Sequence, residues 1–156
     1  MKDIQAEKIE AVKKFLTEEN IATPEEVEKD LILSDDLDKF EIFSNEYLVL
    51  TEAEADGFAE DEIMNSLWAF KPEFILDHTD FVNDITQREA EIWIEAMREM
   101  QSKLCESANT IVKSFINNYK DEFIADAIES DGRGHFISFY DGEEHEVNGY
   151  YIYRIS

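Results

Sequence analysis

The residues most suggestive of chemistry lie near the C-terminal end, where two histidines and several acidic residues surround a glycine-rich loop. The loop is DGRGH at residues 131–135, and a return of the chain would bring Asp141 and His145 toward His135. Imidazole and carboxylate groups bind Zn²⁺ and similar ions, so these three residues are candidate metal ligands of a metal-dependent enzyme. Their spacing fits no standard ligand pattern, and Gly132 equally predicts the end of a helix. Both interpretations stay open.

Other residue types that serve in catalysis do not occur in a catalytic arrangement. His78 stands among acidic residues and is predicted to lie at a helix end, and Cys105 has no neighbouring cation that would activate its thiol. The sequence contains no glycine-rich phosphate loop, no serine-nucleophile motif and no pair of zinc-type cysteines. We therefore expect a protein without catalytic residues that needs no cofactor.

Carboxylates recur at every fourth residue on two predicted helices. The first carboxylate row is Glu52, Asp56 and Glu60, and the second carboxylate row is Glu91, Glu95 and Glu99. Four residues of helix rise about 6 Å, which resembles the separation of successive phosphates along a DNA strand. A row can therefore imitate a line of phosphates and contact a basic partner. Arg88 and Arg98 lie three residues from members of the second row, so an ordinary solvated face with surface ion pairs is the alternative.

The chain as a whole is strongly acidic. It has 38 Asp and Glu against 14 Lys and Arg, a formal charge of −24 over 156 residues, and 19 of the acidic residues lie between residues 35 and 99. This charge repels nucleic acid and anionic membranes. We therefore predict a basic protein surface as partner, as in a nucleic-acid-binding enzyme, with no direct binding of nucleic acid or membrane. The alternative is that the charge only maintains solubility.

Cysteine content and hydropathy indicate the compartment. Cys105 is the only cysteine, so no disulfide can form within the chain, which is typical of a reducing environment. The N-terminal residues lack the apolar core of a signal peptide, and no apolar run reaches the roughly 18 residues that a membrane span requires. These features predict a cytoplasmic protein.

Helical periodicity dominates the chain up to about residue 130. Thr-x-x-Glu capping boxes at Thr23, Thr51 and Thr86 predict three helix starts, and the clearest helix follows Thr86 to residue 104, with a bend near Cys105. A polar break at residues 34–38 precedes two β-prone runs, residues 40–43 and 47–50, which predict a small hairpin around residues 44–46.

The tail differs in character. Asp141-Gly142 and Asn148-Gly149 are strong hairpin dipeptides between apolar runs, which predict two or three antiparallel strands beginning with residues 136–140. We predict an α+β fold of five or six helices with a small C-terminal antiparallel meander. The predicted organisation is a single domain over residues 1–156, helical over 1–130 and β-rich over 135–156.

Four segments resemble a family of small acidic proteins of tailed phages and prophages whose activity is unassigned. The segments are LWAFKPEF at residues 67–74, DGRGHFIS at 131–138, YDGEE at 140–144 and YIYR at 151–154. The similarity covers about residues 40–156. It carries over no catalytic residue, and what it implies is a context, since small acidic phage proteins include inhibitors of host defence.

The charge and the resemblance together predict an inhibitor that occupies the basic surface of a nucleic-acid-binding defence enzyme, as antirestriction and anti-CRISPR proteins do. In this interpretation the two carboxylate rows make the contacts. The alternative is a regulatory protein that docks through its tyrosine-rich tail, with Arg133, Tyr151 and Tyr153 as contact residues.

Overall fold

The structure is a computed structural model that describes residues 3–34 and 38–156, so the predicted polar break lies partly outside the described residues. The chain forms two compact units. Unit 1 comprises Met1–Ala59 and Gly132–Ser156, and unit 2 comprises Glu60–Asp131. The organisation as one domain, helical over 1–130 and β-rich over 135–156, stays a prediction.

Unit 1 begins with two helices whose ends follow from local chemistry. Helix α1, Ile4–Glu18, starts where the Asp3 side chain accepts a hydrogen bond from the backbone of Ala6. Helix α2, Pro24–Asp30, has the predicted capping box, in which Thr23 and Glu26 each bond the other's backbone N–H. Proline at the first position of α2 has no backbone N–H that would need a partner.

Five short strands of the described residues form one antiparallel sheet in unit 1. They are β1 (Ile32–Leu33), β2 (Lys39–Ile42), β3 (Asn45–Leu50), β4 (His145–Val147) and β5 (Tyr150–Arg154), in the order β1-β2-β3-β5-β4. The predicted hairpin of residues 40–50 is therefore present as β2 and β3. Its turn lies at Phe43 and Ser44, which both have positive φ, and Asn148-Gly149 forms the corresponding turn between β4 and β5.

One face of the sheet packs on α1 and α2. The alternating residues Phe40, Ile42, Tyr47, Val49 and Ile152 are buried there with an apolar stripe of α1. That stripe consists of Ala11, Val12, Phe15 and Leu16. Burial of these side chains stabilises unit 1 through the hydrophobic effect.

The other face of the sheet carries Leu48, Leu50, Tyr151 and Tyr153. Helix α3, Glu52–Asn65, follows β3 through the predicted capping box at Thr51, and its residues up to 59 belong to unit 1. The short helix α8, Arg133–Ile137, also lies on this side, because the Arg133 guanidinium covers the ring of Tyr151.

The prediction of a strand at residues 136–140 is wrong. Phe136 and Ile137 belong to α8, and the chain then turns, with the backbone N–H of Gly142 bonded to the carbonyl of Ser138. The Asp141-Gly142 dipeptide therefore forms a turn after a helix and not a β-hairpin. Tertiary burial of Phe136 and Ile137 overrides the β propensity of this apolar run.

Unit 2 is helical in its described structure. After the end of α3 it contains α4 (Pro72–Leu76), α5 (Gln87–Leu104), α6 (Asn109–Ile116) and α7 (Lys120–Asp131), with short 3-10 turns between them. Helix α5 starts at the predicted capping box of Thr86 and Glu89. It ends at Leu104, and the φ of 50° at the next residue, Cys105, produces the predicted bend.

The predicted α+β class, mainly helical with a small antiparallel sheet, is confirmed. The described residues form six α-helices of seven residues or more and two of five residues. None of these helices is both long and apolar enough to cross a membrane.

Candidate functional site

The most highly connected polar site in unit 1 is centred on Arg133. Its guanidinium contacts three carboxylates: Nε lies 2.6 Å from Glu144 Oε1, and Nη1 lies 2.9 Å from Glu52 Oε1 and 2.8 Å from Asp56 Oδ1. The Arg133 side chain is only 9% exposed. Helix α8 supplies the cation, α3 supplies two carboxylates and the loop before β4 supplies the third.

Two tyrosines of β5 complete this site, which we call the Arg133 cluster (Arg133, Glu52, Asp56, Glu144, Tyr151 and Tyr153). The Arg133 Cζ atom lies 4.4 Å from the centre of the Tyr151 ring, a cation–π contact. The Tyr153 hydroxyl donates a hydrogen bond to Glu144. Tyr153 is fully buried and Tyr151 half-buried, so the tail tyrosines bind the fold's own residues.

The protonation equilibria of the cluster reflect these contacts. Burial alone would lower the pKa of Arg133, but its hydrogen bonds to Glu144, Asp56 and Glu52 outweigh burial and raise that pKa. Two hydrogen bonds lower the pKa of Glu52, the one from Tyr151 having the larger effect and the one from Arg133 the next largest. Burial and the bond to Glu144 raise the pKa of Tyr153. The cluster therefore holds its cation charged and its tyrosines neutral.

The two glycines around Arg133 have separate structural reasons. Gly132 has a φ of +85°, which lets the chain turn between α7 and α8. A Cβ atom on Gly134 would lie 2.6 Å from the carbonyl oxygen of Gly142 and 3.0 Å from the backbone nitrogen of Glu144. The loop before β4 thus passes directly against α8, and this passage brings Glu144 to Arg133. The glycine-rich loop therefore acts in packing.

The three candidate metal ligands have separate surroundings. His135 is exposed, and its ring packs edge-on against the next residue. Asp141 Oδ1 accepts a hydrogen bond from the backbone N–H of Glu143 and lies 2.8 Å from the Ser138 hydroxyl oxygen, and His145 packs on Phe15. Among the described residues, no group of three or more His, Cys, Asp or Glu side chains is arranged to hold a metal ion.

The first carboxylate row is largely engaged in ion pairs within the protein. Glu52 and Asp56 bind Arg133, and Glu60 lies 3.4 Å from the Lys120 ammonium group. This row was predicted as a partner surface. Its carboxylates remain partly exposed, but each already has a cationic partner.

The second carboxylate row is more open. Its three carboxylates are exposed on α5, and Glu99 bonds Lys103 at 2.8 Å. Arg98 does not neutralise Glu95, since its guanidinium lies 3.1 Å from Glu73 of α4. Within the described part of the chain, Glu95 forms no ion pair. The row therefore keeps most of its negative charge toward solvent.

His78 is buried with both ring nitrogens hydrogen-bonded, which the sequence did not predict. It follows α4, as a helix-end residue should, but it is buried, with Nδ1 2.7 Å from the carbonyl oxygen of Phe74 and Nε2 2.7 Å from Asp126 Oδ2. The ring also packs against Phe123. Because it joins α4 to α7, we assign His78 a structural role in unit 2. Its sequence neighbourhood gives no signal of the distant Asp126.

Exposed aromatic residues form a second feature that sequence reasoning missed. Phe139 is 68% exposed and Tyr140 is 57% exposed, and the Arg154 guanidinium lies 3.5 Å from the centre of the Tyr140 ring. Two consecutive aromatics before an Asp-Gly turn were a usable signal, because a strand would bury one of them.

Comparison with protein-family models, curated proteins and solved structures finds no match for this chain.

Proposed function

We propose that this protein binds the basic surface of another protein through the second carboxylate row. The observation that carries the proposal is the exposure of Glu91, Glu95 and Glu99 along one helix, with Glu95 free of ion pairs among the described residues. Their spacing of four residues corresponds to a rise of about 6 Å per carboxylate. A surface that binds regularly spaced phosphates can accept such a row.

The proposal gives the two rows different roles. Glu52 and Asp56 are bound to a largely buried guanidinium, so binding a partner through them would compete with the Arg133 cluster. The second row has only Lys103 as an ion-pair partner among the described residues. Contact with the partner is therefore assigned to α5, and the first row mainly stabilises unit 1.

The energetics of α5 agree with a row kept for binding. Like charges four residues apart each cost about 0.2–0.5 kcal/mol of helix stability. The capping box at Thr86 and the pairing of Lys103 near the C-terminal end offset part of this cost. In return, an uncompensated negative row accelerates association with a basic partner and favours it over acidic ones.

The more specific form of the proposal names the partner class. The net charge of −24 and the resemblance to small acidic phage proteins support a partner that normally binds nucleic acid, as restriction and CRISPR enzymes do. The protein would then inhibit that enzyme by occupying its nucleic-acid site. Its site of action would be the cytoplasm of the host cell.

The first experiment is a pull-down from bacterial lysate at low salt, eluted in parallel with sodium chloride and with competing DNA. We expect a nucleic-acid-binding protein that both treatments release, because exposed charges are screened by salt and the DNA competes for the same surface. A captured partner that resists both treatments would contradict the proposal.

Variants then test the row itself. The variant E91Q/E95Q/E99Q should weaken binding to the captured partner at least tenfold and reduce the salt dependence of the affinity. The matched control is E10Q/E25Q/E129Q, which removes three exposed carboxylates from three other helices and so changes the net charge equally. Equal losses in the two variants would show that total charge, and not the row, determines binding.

A further inference from the structure

We propose that one end of unit 1 carries a docking platform for an arginine side chain of the basic partner. The platform consists of Phe43, Phe139, Tyr140 and Arg154. Phe139 and Tyr140 are largely exposed, and Phe43 is 46% exposed. The inference rests on the proposed function for the cationic character of the partner, and it adds a second, aromatic contact site with its own ligand preference.

These residues lie toward one end of the sheet, to which distant segments of unit 1 contribute. The turn between β2 and β3 carries Phe43, and the end of β5 lies beside it, with Arg154 Nη2 3.0 Å from Asn45 Oδ1. The Ser138 hydroxyl donates a 2.6 Å hydrogen bond to the Arg154 carbonyl, which fixes the start of the Phe139-Tyr140 segment against β5.

The part of the platform around Tyr140 and Arg154 is held in place before any partner binds. Arg154 covers one face of Tyr140 and also donates from Nε to the Ser156 carbonyl at 2.9 Å. Beyond Tyr140, the Asp141 backbone N–H donates to the Ser138 hydroxyl oxygen, and the Asp141 carboxylate accepts from the Glu143 backbone N–H. Order of this kind lowers the entropy lost on binding.

Phe43 adds an independent observation. Its φ of 53° is a left-handed conformation that is rare and strained for a bulky residue. An asparagine or glycine would relieve the turn and is the usual choice in a two-residue hairpin. The turn instead displays an aromatic ring to solvent at the same end as Phe139 and Tyr140.

The charge of the surroundings selects the occupant. Asp141 and Glu143 are exposed directly after the two aromatics, so an incoming cation meets carboxylates as well as the Phe139 ring and the face of Tyr140 that Arg154 does not cover. A second copy of this chain, a nucleic acid and an anionic membrane are disfavoured by the net charge of −24. Arginine fits better than lysine, because its flat, weakly hydrated guanidinium stacks on aromatic rings.

The experiment compares two peptide probes of equal charge, nona-arginine and nona-lysine, at 0.15 M salt. Affinity is measured by calorimetry, and contacts are located by NMR shifts of the backbone amides. We expect nona-arginine to bind about threefold to tenfold tighter, with shifts at residues 43, 139 and 140. Equal affinities of the two peptides, or shifts elsewhere only, would overturn the proposal.

Variants separate this proposal from the proposed function. F139S/Y140S should abolish the arginine preference and leave nona-lysine affinity unchanged, while F58S, which removes an exposed aromatic of α3, should change neither. E91Q/E95Q/E99Q should weaken both peptides equally and keep the preference. Loss of the preference in that variant would place the arginine contact on α5 and overturn the platform. If E91Q/E95Q/E99Q left both affinities unchanged and kept the arginine preference, the role of the second carboxylate row would be refuted and the platform would stand.

Discussion

Arg133 binds three carboxylates through a planar group with five donors, a geometry that lysine cannot reproduce. The arrangement joins α8 and the loop that follows it to α3, which lies far earlier in the sequence. Replacing Arg133 would therefore leave three carboxylates, two from α3 and one from the loop before β4, close together without their common counter-charge.

We predict that Arg133→Met lowers the free energy of unfolding by about 2–3 kcal/mol. This loss is smaller than the roughly 3–5 kcal/mol expected for a fully buried ion pair, because the carboxylates are partly exposed. Arg133→Lys should lower the free energy of unfolding by roughly half as much. Urea denaturation of the variants measures both values. The control is Arg98→Met, which removes an exposed pair with Glu73 and should change stability by less than about 0.5 kcal/mol. Similar midpoints for both methionine variants would refute a stabilising role for the cluster.

Tyr150 provides a prediction for alkaline pH. Its hydroxyl donates to Glu7, and this bond, with burial, raises its pKa to about 12 from an ordinary value of 10.0. Since the folded state keeps the proton more tightly, the contribution of Tyr150 to stability is complete below pH 10 and is lost as pH rises toward 12. Urea midpoints at pH 9, 10 and 11 should fall more steeply for the native protein than for Tyr150→Phe. Parallel profiles would contradict this assignment.

The position of helix α8 depends on the absence of a side chain at Gly134. Gly134 contacts the backbone of residues 142–144 so closely that any Cβ would overlap a carbonyl oxygen. The rigid neighbour is backbone and not a flexible side chain, so the overlap can be relieved only by moving the loop that carries Glu144.

We predict that Gly134→Ala destabilises the protein by about 1–3 kcal/mol through overpacking. Gly57→Ala is the matched control, because Gly57 lies exposed within α3 with no atom near the added methyl group. That substitution should stabilise by about 0.5–1 kcal/mol, since alanine favours the helix. Thermal unfolding of the two variants should shift in opposite directions, and a neutral Gly134→Ala would show that the loop moves freely.

Local signals predicted the elements well where the determinants are local. The capping boxes of Thr23, Thr51 and Thr86 start three helices as expected, and Asn148-Gly149 forms the predicted turn. The strand predicted for residues 136–140 fails, because its helix is set by burial and by contacts with residues 142–144. The site follows the same division: Arg133, Glu52 and Asp56 were each singled out, but their convergence depends on the tertiary fold.

At the scale of the whole molecule, repulsion among the 38 acidic residues opposes the folded state. We predict that raising sodium chloride from 10 mM to 0.3 M increases the free energy of unfolding, because screening weakens repulsion over distances beyond about 10 Å more than it weakens close ion pairs. Tetramethylammonium chloride should act similarly if the effect is general screening. A decrease with either salt would show that surface ion pairs outweigh the repulsion.

The pairing of β3 with β5 joins residues 47–50 to residues 151–154, although all of unit 2 lies between them in sequence. While the chain is being synthesised on a ribosome, β3 has no β5 to pair with until residues 150–154 emerge. Unit 2, whose contacts are nearer in sequence, can form earlier. A stop codon before residue 150 would therefore leave unit 2 complete and the apolar strand β3 without its β5 neighbour, and such an unpaired edge is prone to aggregation and proteolysis.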